Sequence, residues 1–290
     1  MLVEENAWPE ALAIQHQNGE SRFRSPRRSS VSVVIPTLNE ERNIGWVLER
    51  IPDCVDEVIV VDGRSTDETI AITRQVRPDA TVVLESRPGK GAALRAGFAA
   101  ARGDYVAMID ADCSMEPAEI EVFVAALEDG SDFVKGSRFL EGGGTSDMSV
   151  VRKLGNAGLR WAVNVLYGSD FTDLCYGFMA FRRNSLAALQ LASDGFEIET
   201  EIVVRAIRDG LRIREVASFE AERRYGTSNL SAWRDGRRVL GTLLRERFGQ
   251  AEAPQLSPLV ASSRSVGWRR RMQVGTAGAA DHADAPPRVV

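Results

Sequence analysis

Four short apolar runs, at residues 31–35, 57–61, 81–84 and 105–109, each give way to a turn and then to about ten to fifteen residues of helical pattern. The first run ends at Pro36 and passes through Asn39 into a charged, helix-compatible stretch reaching Arg50. Asp62-Gly63 follow the second run, Pro88-Gly89 the third and Asp110 the fourth. Strands alternating with helices predict βα units on a largely parallel central sheet flanked by helices, an α/β class. Ligands of such sheets sit beyond the carboxyl ends of the strands. The residues 36–40, Asp62, Lys90 and residues 110–112 all fall at those ends, so the informative polar groups converge on one edge.

The pattern fades at both ends of the 290 residues. Residues 1–30 lack sustained periodicity and close on an Arg- and Ser-rich stretch, which predicts a flexible N-terminal arm. Residues 251–290 are rich in Ala, Gly, Ser and Pro and predict a second, C-terminal tail, leaving residues 31–250 as one domain. At 44% hydrophobic and 27% charged the chain has the composition of a folded globular protein. A net charge of -5 argues against a general nucleic-acid binder. Cys54, Cys113 and Cys175 have neither zinc-site nor disulfide spacing and read as buried thiols. With no basic-then-apolar leader and no apolar run of membrane length, the expected location is cytoplasmic.

Asp110-Ala111-Asp112 follows a strand directly, and carboxylates two apart on an extended segment project to the same side, where both can approach one cation. Hard oxygen ligands favour magnesium or manganese, whereas the plainer reading makes one Asp a helix cap and leaves the other solvated. Asp62 ends its strand where an acidic side chain can accept from a ribose or nucleobase, and Asp67 reads as a cap of the next helix. Lys90 stands between glycines at a helix start, where backbone amides and the helix dipole favour an anion such as a diphosphate; the alternative is a solvated lysine in a turn.

In order along the chain, Val34-Ile35-Pro36-Thr37-Leu38-Asn39-Glu40, Val61-Asp62-Gly63-Arg64-Ser65-Thr66-Asp67, Gly89-Lys90-Gly91 and Asp110-Ala111-Asp112 resemble a family 2 glycosyltransferase of GT-A fold. Gly136-Ser137-Arg138-Phe139, Asp173 before Tyr176-Gly177-Phe178, and Arg223-Arg224-Tyr225-Gly226-Thr227-Ser228 are similar to its dolichyl-phosphate mannose synthase branch. The resemblance implies an inverting transferase that uses a UDP- or GDP-sugar and Mg2+ or Mn2+. It implies a nucleoside pocket at Pro36, Leu38, Glu40 and Asp62, with Lys90 near the diphosphate. Asp110, Ala111 and Asp112 would then stand at ribose and metal, with the two aspartates as metal ligands.

A polyprenyl phosphate acceptor is already anionic, whereas a glycan hydroxyl needs a base. In the lipid-phosphate branch, arginines matching Arg138 and Arg152 hold the acceptor phosphate and one matching Arg223 lies near the phosphates, a task that suits the bidentate guanidinium. Asp173 is the candidate base for a hydroxyl acceptor. Glu197 and Glu201 share a helix face and Glu199 points elsewhere; by family position Glu201 is the site residue. The chain departs from the family at Asn229, where lysine is frequent, and at Ser114, where some members supply another polar ligand. Peripheral membrane contact is expected from the arginines at positions 22–28 and from Trp268 to Arg271, at roughly 1 kcal/mol per basic residue.

Other classes fit less well. A haloacid-dehalogenase-type phosphatase carries its Asp-x-Asp loop after its first strand, and here three strands precede it. Dehydrogenases and nucleotidyltransferases want a glycine-rich loop where Pro36-Thr37-Leu38-Asn39 stands. A catalytically silent nucleotide-sugar sensor would keep the donor pocket and lose acceptor chemistry.

Overall fold

The computed structural model describes residues 28–146, 148–226 and 232–248. The chain divides into a unit Met1–Gly249 and a unit Gln250–Val290, and the second lies wholly outside the described residues. So do residues 1–27, with most of the first arginine cluster, and the Thr227, Ser228 and Asn229 positions. Arg28 is described, and it is committed locally: its guanidinium donates to the carbonyls of Asp53 and Cys54 and lies 3.7 Å from Asp56.

The first half alternates as expected: β1 (Val31–Thr37), α1 (Ile44–Glu49), β2 (Glu57–Asp62), α2 (Thr69–Val76), β3 (Thr81–Leu84), α3 (Lys90–Ala100) and β4 (Tyr105–Met108). The second half holds α4 (Ile120–Glu128), β5 (Phe133–Ser137), β6 (Gly144–Thr145), α5 (Val150–Tyr167), β7 (Met179–Arg182), α6 (Arg183–Ala188), α7 (Ile198–Arg208), β8 (Ile213–Ala217), β9 (Phe219–Glu220) and α8 (Ala232–Phe248). Seven strands form one sheet in the order β3-β2-β1-β4-β7-β5-β8, while β6 and β9 pair separately. Neighbouring pairs in the large sheet are parallel except where β7 meets β4 and β5. The sheet is therefore largely parallel, as the sequence pattern predicts.

Alternation along each strand feeds two cores. Val33, Ile35, Val58 and Val60 pack on one face with Ile44, Val47 and Leu48 of α1 and Phe123 and Leu127 of α4. Val34, Ile59 and Val61 pack on the other with Ala93 and Leu94 of α3 and Ile202 and Val203 of α7. Sheets covered on both faces need apolar side chains on both, which explains the unbroken runs. Each such buried side chain contributes roughly 1.5–3 kcal/mol. Gly97 sets the closeness of α3: a Cβ there would stand 2.3 Å from Val34 Cγ1 and 2.9 Å from Val61 Cγ2.

The order of strands also locates a crevice. From β1 the chain moves outward to β2 and β3, then returns through α3 to place β4 on the opposite side of β1. This is a topological switch point, with its opening at the carboxyl ends of β1 and β4. Pro36 lies inside β1, contrary to the expectation that it stops the strand. The β1–β4 register ends at Val34, so a residue without an N–H falls where that ladder has already opened.

Candidate active site

A cavity of about 350 Å3 opens at this crevice. Its floor comes from the first half of the chain: Pro36, Leu38 and Glu40 after β1, Gly63 and Arg64 after β2, Lys90 at the start of α3, and Asp110, Ala111 and Asp112 after β4. The loops that carry these groups are strained. Asn39, Arg64 and Cys113 have φ of 57°, 74° and 65°, a region in which residues other than glycine are uncommon. Crossed hydrogen bonds hold two of the loops together: Ser65 Oγ accepts from the Asn39 N–H, and Asn39 Oδ1 from the Thr66 N–H. Asp67 is structural, accepting from the N–H groups of Glu41 and Thr69, while the N-cap position of α2 falls to Glu68.

Carboxylates and cations alternate across the floor. Lys90 Nζ lies 2.5 Å from Asp110 and 2.7 Å from Glu199, and these two charges hold it above the ordinary lysine range against the opposing effect of burial. Burial pushes the Asp110 carboxyl up, with the charge of Asp112 adding and that of Lys90 opposing. Burial also raises Glu40, whose carboxylate accepts from Asn43 and lies 3.3 Å from Arg223. Asp112 divides its oxygens between Ser114 (N–H and Oγ–H onto Oδ1) and Arg223, 2.7 Å from Oδ2. The Cys113 thiol between these groups is buried and pushed up to about 12, which leaves it inert at neutral pH. All three cysteines are free; Cys54 and Cys175 are half-buried rather than buried.

Asp62 stands just beneath this floor rather than in the lining, and is 3% exposed. Its Oδ2 accepts from the N–H groups of Arg64 and Ser65, while Oδ1 is buried and has no hydrogen-bond partner among the described residues. An unpaired buried acceptor costs roughly 1–3 kcal/mol, so it calls for an N–H from elsewhere.

The helix-start anion site expected around Lys90 takes a different form. The N–H groups of Gly91 and Ala92 both donate to the Asp194 carbonyl, so these amides are committed to protein. The glycines serve packing: a Cβ on Gly89 or Gly91 would lie 2.1 or 2.3 Å from the carbonyl oxygens of Asp194 and Ser193. What α3 offers to the cavity is the lysine side chain itself.

Three residues expected from the resemblance in the second half do not line the cavity. Arg138 and Asp173 face each other inside the protein, with side-chain exposures of 1% and 0%. Arg138 Nε and Nη2 donate to the two Asp173 oxygens, Nη2 also to the Cys175 carbonyl, and Nη1 to Glu220. Burial would raise Asp173, but the Arg138 hydrogen bonds and the Lys135 charge hold it below the usual carboxylate range. The guanidinium is thus committed to protein partners, and the carboxylate sits behind the wall. Glu201 is fully buried on α7, accepting from the N–H groups of Ala192 and Ser193 and pairing with Arg205 at 2.8 Å. Glu199, two residues earlier and so on the opposite face of the helix, reaches the cavity instead.

The remaining wall is cationic. Arg152 from α5, Arg223 after β9, and Arg234 and Arg238 from α8 line it, with Asp235 and Glu220 between them. Glu220 joins wall to interior, accepting from buried Arg138 at 2.9 Å and lying 3.6 Å from Arg152. Glu220, Arg234 and Arg238 were not among the residues expected from the sequence; the four-residue spacing of the two arginines, which puts them on one helix face, was the available signal. Among the described residues no group of three or more His, Cys, Asp and Glu side chains gathers as a metal site. Asp110 and Asp112 fit a hard divalent ion in another way, as one or two protein carboxylates that leave further positions to phosphate oxygens and water.

The model for "Glycosyl transferase family 2" matches residues 32–189. Glycosyltransferase AglJ of Haloferax volcanii is 34% identical over 235 residues, spanning 78% of this chain and 74% of the relative. An uncharacterized glycosyltransferase of Mycobacterium bovis is 35% identical over 202 residues, spanning 70% of this chain and 90% of the relative. Among solved structures, glucosyl-3-phosphoglycerate synthase from Mycobacterium tuberculosis in complex with Mn2+, UDP and phosphoglyceric acid superposes with a TM-score of 0.63. It is 28% identical and covers 76% of this chain and 79% of its own. A sheet with its crevice at the switch point, a matching family model and relatives that span most of the chain lead to one conclusion: the protein belongs to glycosyltransferase family 2 and is a nucleotide-sugar transferase built on the GT-A fold.

Proposed function

We propose that this enzyme transfers a hexose, with inversion, from a UDP- or GDP-sugar to a phosphate-bearing acceptor, foremost a polyprenyl phosphate used in building envelope glycans. The observation that carries the reading is the make-up of the cavity: Glu40, Lys90, Asp110 and Asp112 come from the strand ends of the first half, and Arg152, Arg223, Arg234 and Arg238 come from the second half. The floor suits the donor. Asp62 Oδ1, buried beneath the floor, would accept an imide N–H, a group that uracil and guanine both present, with Pro36 and Leu38 beside the base. Asp110 and Asp112 would hold Mg2+ or Mn2+, and the solved relative's Mn2+ and UDP support a divalent ion here. When bound, the ion offsets the charge that gathers on the departing diphosphate.

Arg223 is paired with both Glu40 and Asp112, so it stands where it can pass from protein carboxylates to donor phosphates. Arg152, Arg234 and Arg238 orient an anionic acceptor. An acceptor phosphate oxygen attacks C1 of the sugar from the face opposite the diphosphate; the new C1–O bond forms as the old one breaks, and the nucleoside diphosphate leaves. No general base is required, in keeping with the burial of Asp173. A second reading has one specific support: the solved relatives include complexes with phosphoglyceric acid, a small anionic molecule that arginines would also suit.

The test is release of free nucleoside diphosphate from UDP- and GDP-sugars with Mg2+ or Mn2+, in the presence of polyprenyl phosphate, of 3-phosphoglycerate, or of neither. Release that needs metal and rises with polyprenyl phosphate is expected. A rise with 3-phosphoglycerate alone transfers the site to small acids, and tight donor binding without release in any arm makes the protein a sensor.

A further inference from the structure

Arg223 reaches the cavity from a segment with no regular structure of its own. Residues 221–226 follow β9 and belong to neither helix nor strand. Yet the guanidinium is held at one place, 3.3 Å from Glu40 and 2.7 Å from Asp112. Ordering an irregular segment costs backbone entropy, which contacts outside the cavity must offset. On one side of Arg223 the Ala221 N–H donates to the Ser114 carbonyl. On the other side the contacts come from α1 and the turn before it.

Asn43 stands at the N-cap of α1 and is buried, but its side chain makes no cap hydrogen bond to the helix. The amide serves the loops instead. Its N–H groups donate to Glu40 Oε2 at 2.6 Å and to the Tyr225 carbonyl at 3.2 Å. Glu40 is thereby turned so that its other oxygen, Oε1, meets Arg223. The Cys113 thiol donates to the Asn43 carbonyl at 3.5 Å. One buried residue thus joins the loops after β1, β4 and β9, which carry Glu40, Asp112 and Arg223 into the cavity.

Two contacts between arginine and an aromatic ring add to this. The Arg42 guanidinium lies 3.9 Å from the centre of the Tyr225 ring. Arg224 lies 5.1 Å from the centre of the Trp46 ring, which Arg50 approaches at 4.4 Å. At these distances the ring face attracts the cation. Trp46 is packed against the core and gives a fixed surface, whereas Arg224 and Tyr225 are exposed. None of Arg42, Asn43, Trp46, Arg224 and Tyr225 lines the cavity.

We propose that α1 and the turn before it form a clasp that positions Arg223 for the donor diphosphate: Asn43 holds the Tyr225 backbone, while Arg42 and Trp46 seat the Tyr225 and Arg224 side chains. These are positioning residues, and each acts through Arg223. An arginine already in place loses less freedom when the diphosphate arrives, so the clasp is read in donor affinity. The inference rests on the donor-phosphate role given to Arg223 above.

Equilibrium binding of UDP and of GDP to the full chain with Mn2+, read as a double-mutant cycle with Arg223→Ala, tests the clasp. Arg223→Ala alone should lower affinity for the preferred nucleotide at least about tenfold. Tyr225→Ala combined with Arg224→Ala changes two exposed side chains and should lower it about fivefold, with an unchanged melting curve. Tyr225→Phe keeps the ring and should stay within about twofold of the native protein. Asn43→Ala removes both amide donors and should cost about tenfold; if that variant does not fold, the exposed pair carries the test. With Arg223→Ala already in place, the exposed pair should change affinity by less than about twofold, because the clasp has nothing left to position. Native affinity in the exposed pair, or an equal loss with and without Arg223, overturns the clasp and leaves the role of Arg223 standing. Native affinity in Arg223→Ala removes the donor-phosphate role of that arginine, and the clasp falls with it.

Discussion

The two halves of the sheet use charged residues in opposite ways. At the ends of β1 and β4, charged side chains emerge into the cavity: Glu40, Asp110 and Asp112 line it, each beside a cation or a neutral donor. From β5 onward, comparable residue types turn inward, and Lys135, Arg138, Asp173 and Glu201 are all 4% exposed or less. Lys135 spends its ammonium on the carbonyls of Gly136 and Tyr176. One half sets charged groups at its strand ends into the cavity, and the other is a framework of buried charge in which Arg138 holds Glu220 beside Arg152. A charged residue inside a family motif therefore reports importance without saying whether it touches substrate.

That contrast can be broken by substitution. Arg138→Ala should have the largest effect, because it strands the buried Asp173 carboxylate; removing one partner from such a pair costs about 3–5 kcal/mol, read as a lower urea midpoint. Normal stability in this variant would mean that Arg138 is not part of the framework. Asp112→Asn should come next, lowering nucleoside diphosphate release by about 10²–10³, or roughly 3–4 kcal/mol in the barrier, with the melting temperature nearly unchanged. Arg152→Ala should raise the acceptor KM about tenfold with a smaller change in kcat, since a grip on phosphate that is equally strong in the ground and transition states shows mainly in KM.

The smallest effect concerns pH. Burial pushes the Glu119 carboxyl up to about 7, against the hydrogen bonds it accepts from Ser218 Oγ and the Phe219 N–H. The folded protein then holds this proton more tightly than the unfolded chain, whose carboxyl titrates near 4.5. Its contribution is fully present below about 4.5 and is lost as pH rises through about 7. Glu119→Gln should therefore gain stability relative to the native protein as pH rises from about 4.5 to about 7, read as a difference in Tm that widens across that window. A difference independent of pH would show that the group is ionised throughout.

Much of the first half was legible in the sequence because its signals are local. Strand runs such as Val58 to Val61 need apolar residues on both faces, and the turn residues beyond them must open toward solvent or ligand, so adjacency in sequence carries over into the site. Even there, one inference from local pattern went astray: the amides at the start of α3 are taken by Asp194, a residue more than a hundred positions away. The second half depends on such long-range pairing. Nothing near Arg138 in sequence announces that its partners will be Asp173 and Glu220. Helix periodicity correctly separated Glu199 from Glu197 and Glu201, but the direction of the face was fixed by the docking of α7 against the sheet, and it is Glu199 that meets Lys90. Residues 227–231, where the chain departs from the family at Asn229, lie outside the described residues.

The division between reactive floor and buried framework is tested most directly by equilibrium binding of UDP or GDP, whichever the native protein holds more tightly, in the presence of Mn2+. Two folded variants, Asp112→Asn and Glu201→Gln, place the same change of charge on either side of that division. Affinity should fall at least about tenfold in Asp112→Asn, as removal of one charge-assisted interaction requires, and stay at the native level in Glu201→Gln. Native affinity in Asp112→Asn together with weakened binding in Glu201→Gln would contradict the account and move the donor site to the helix face that the structure buries.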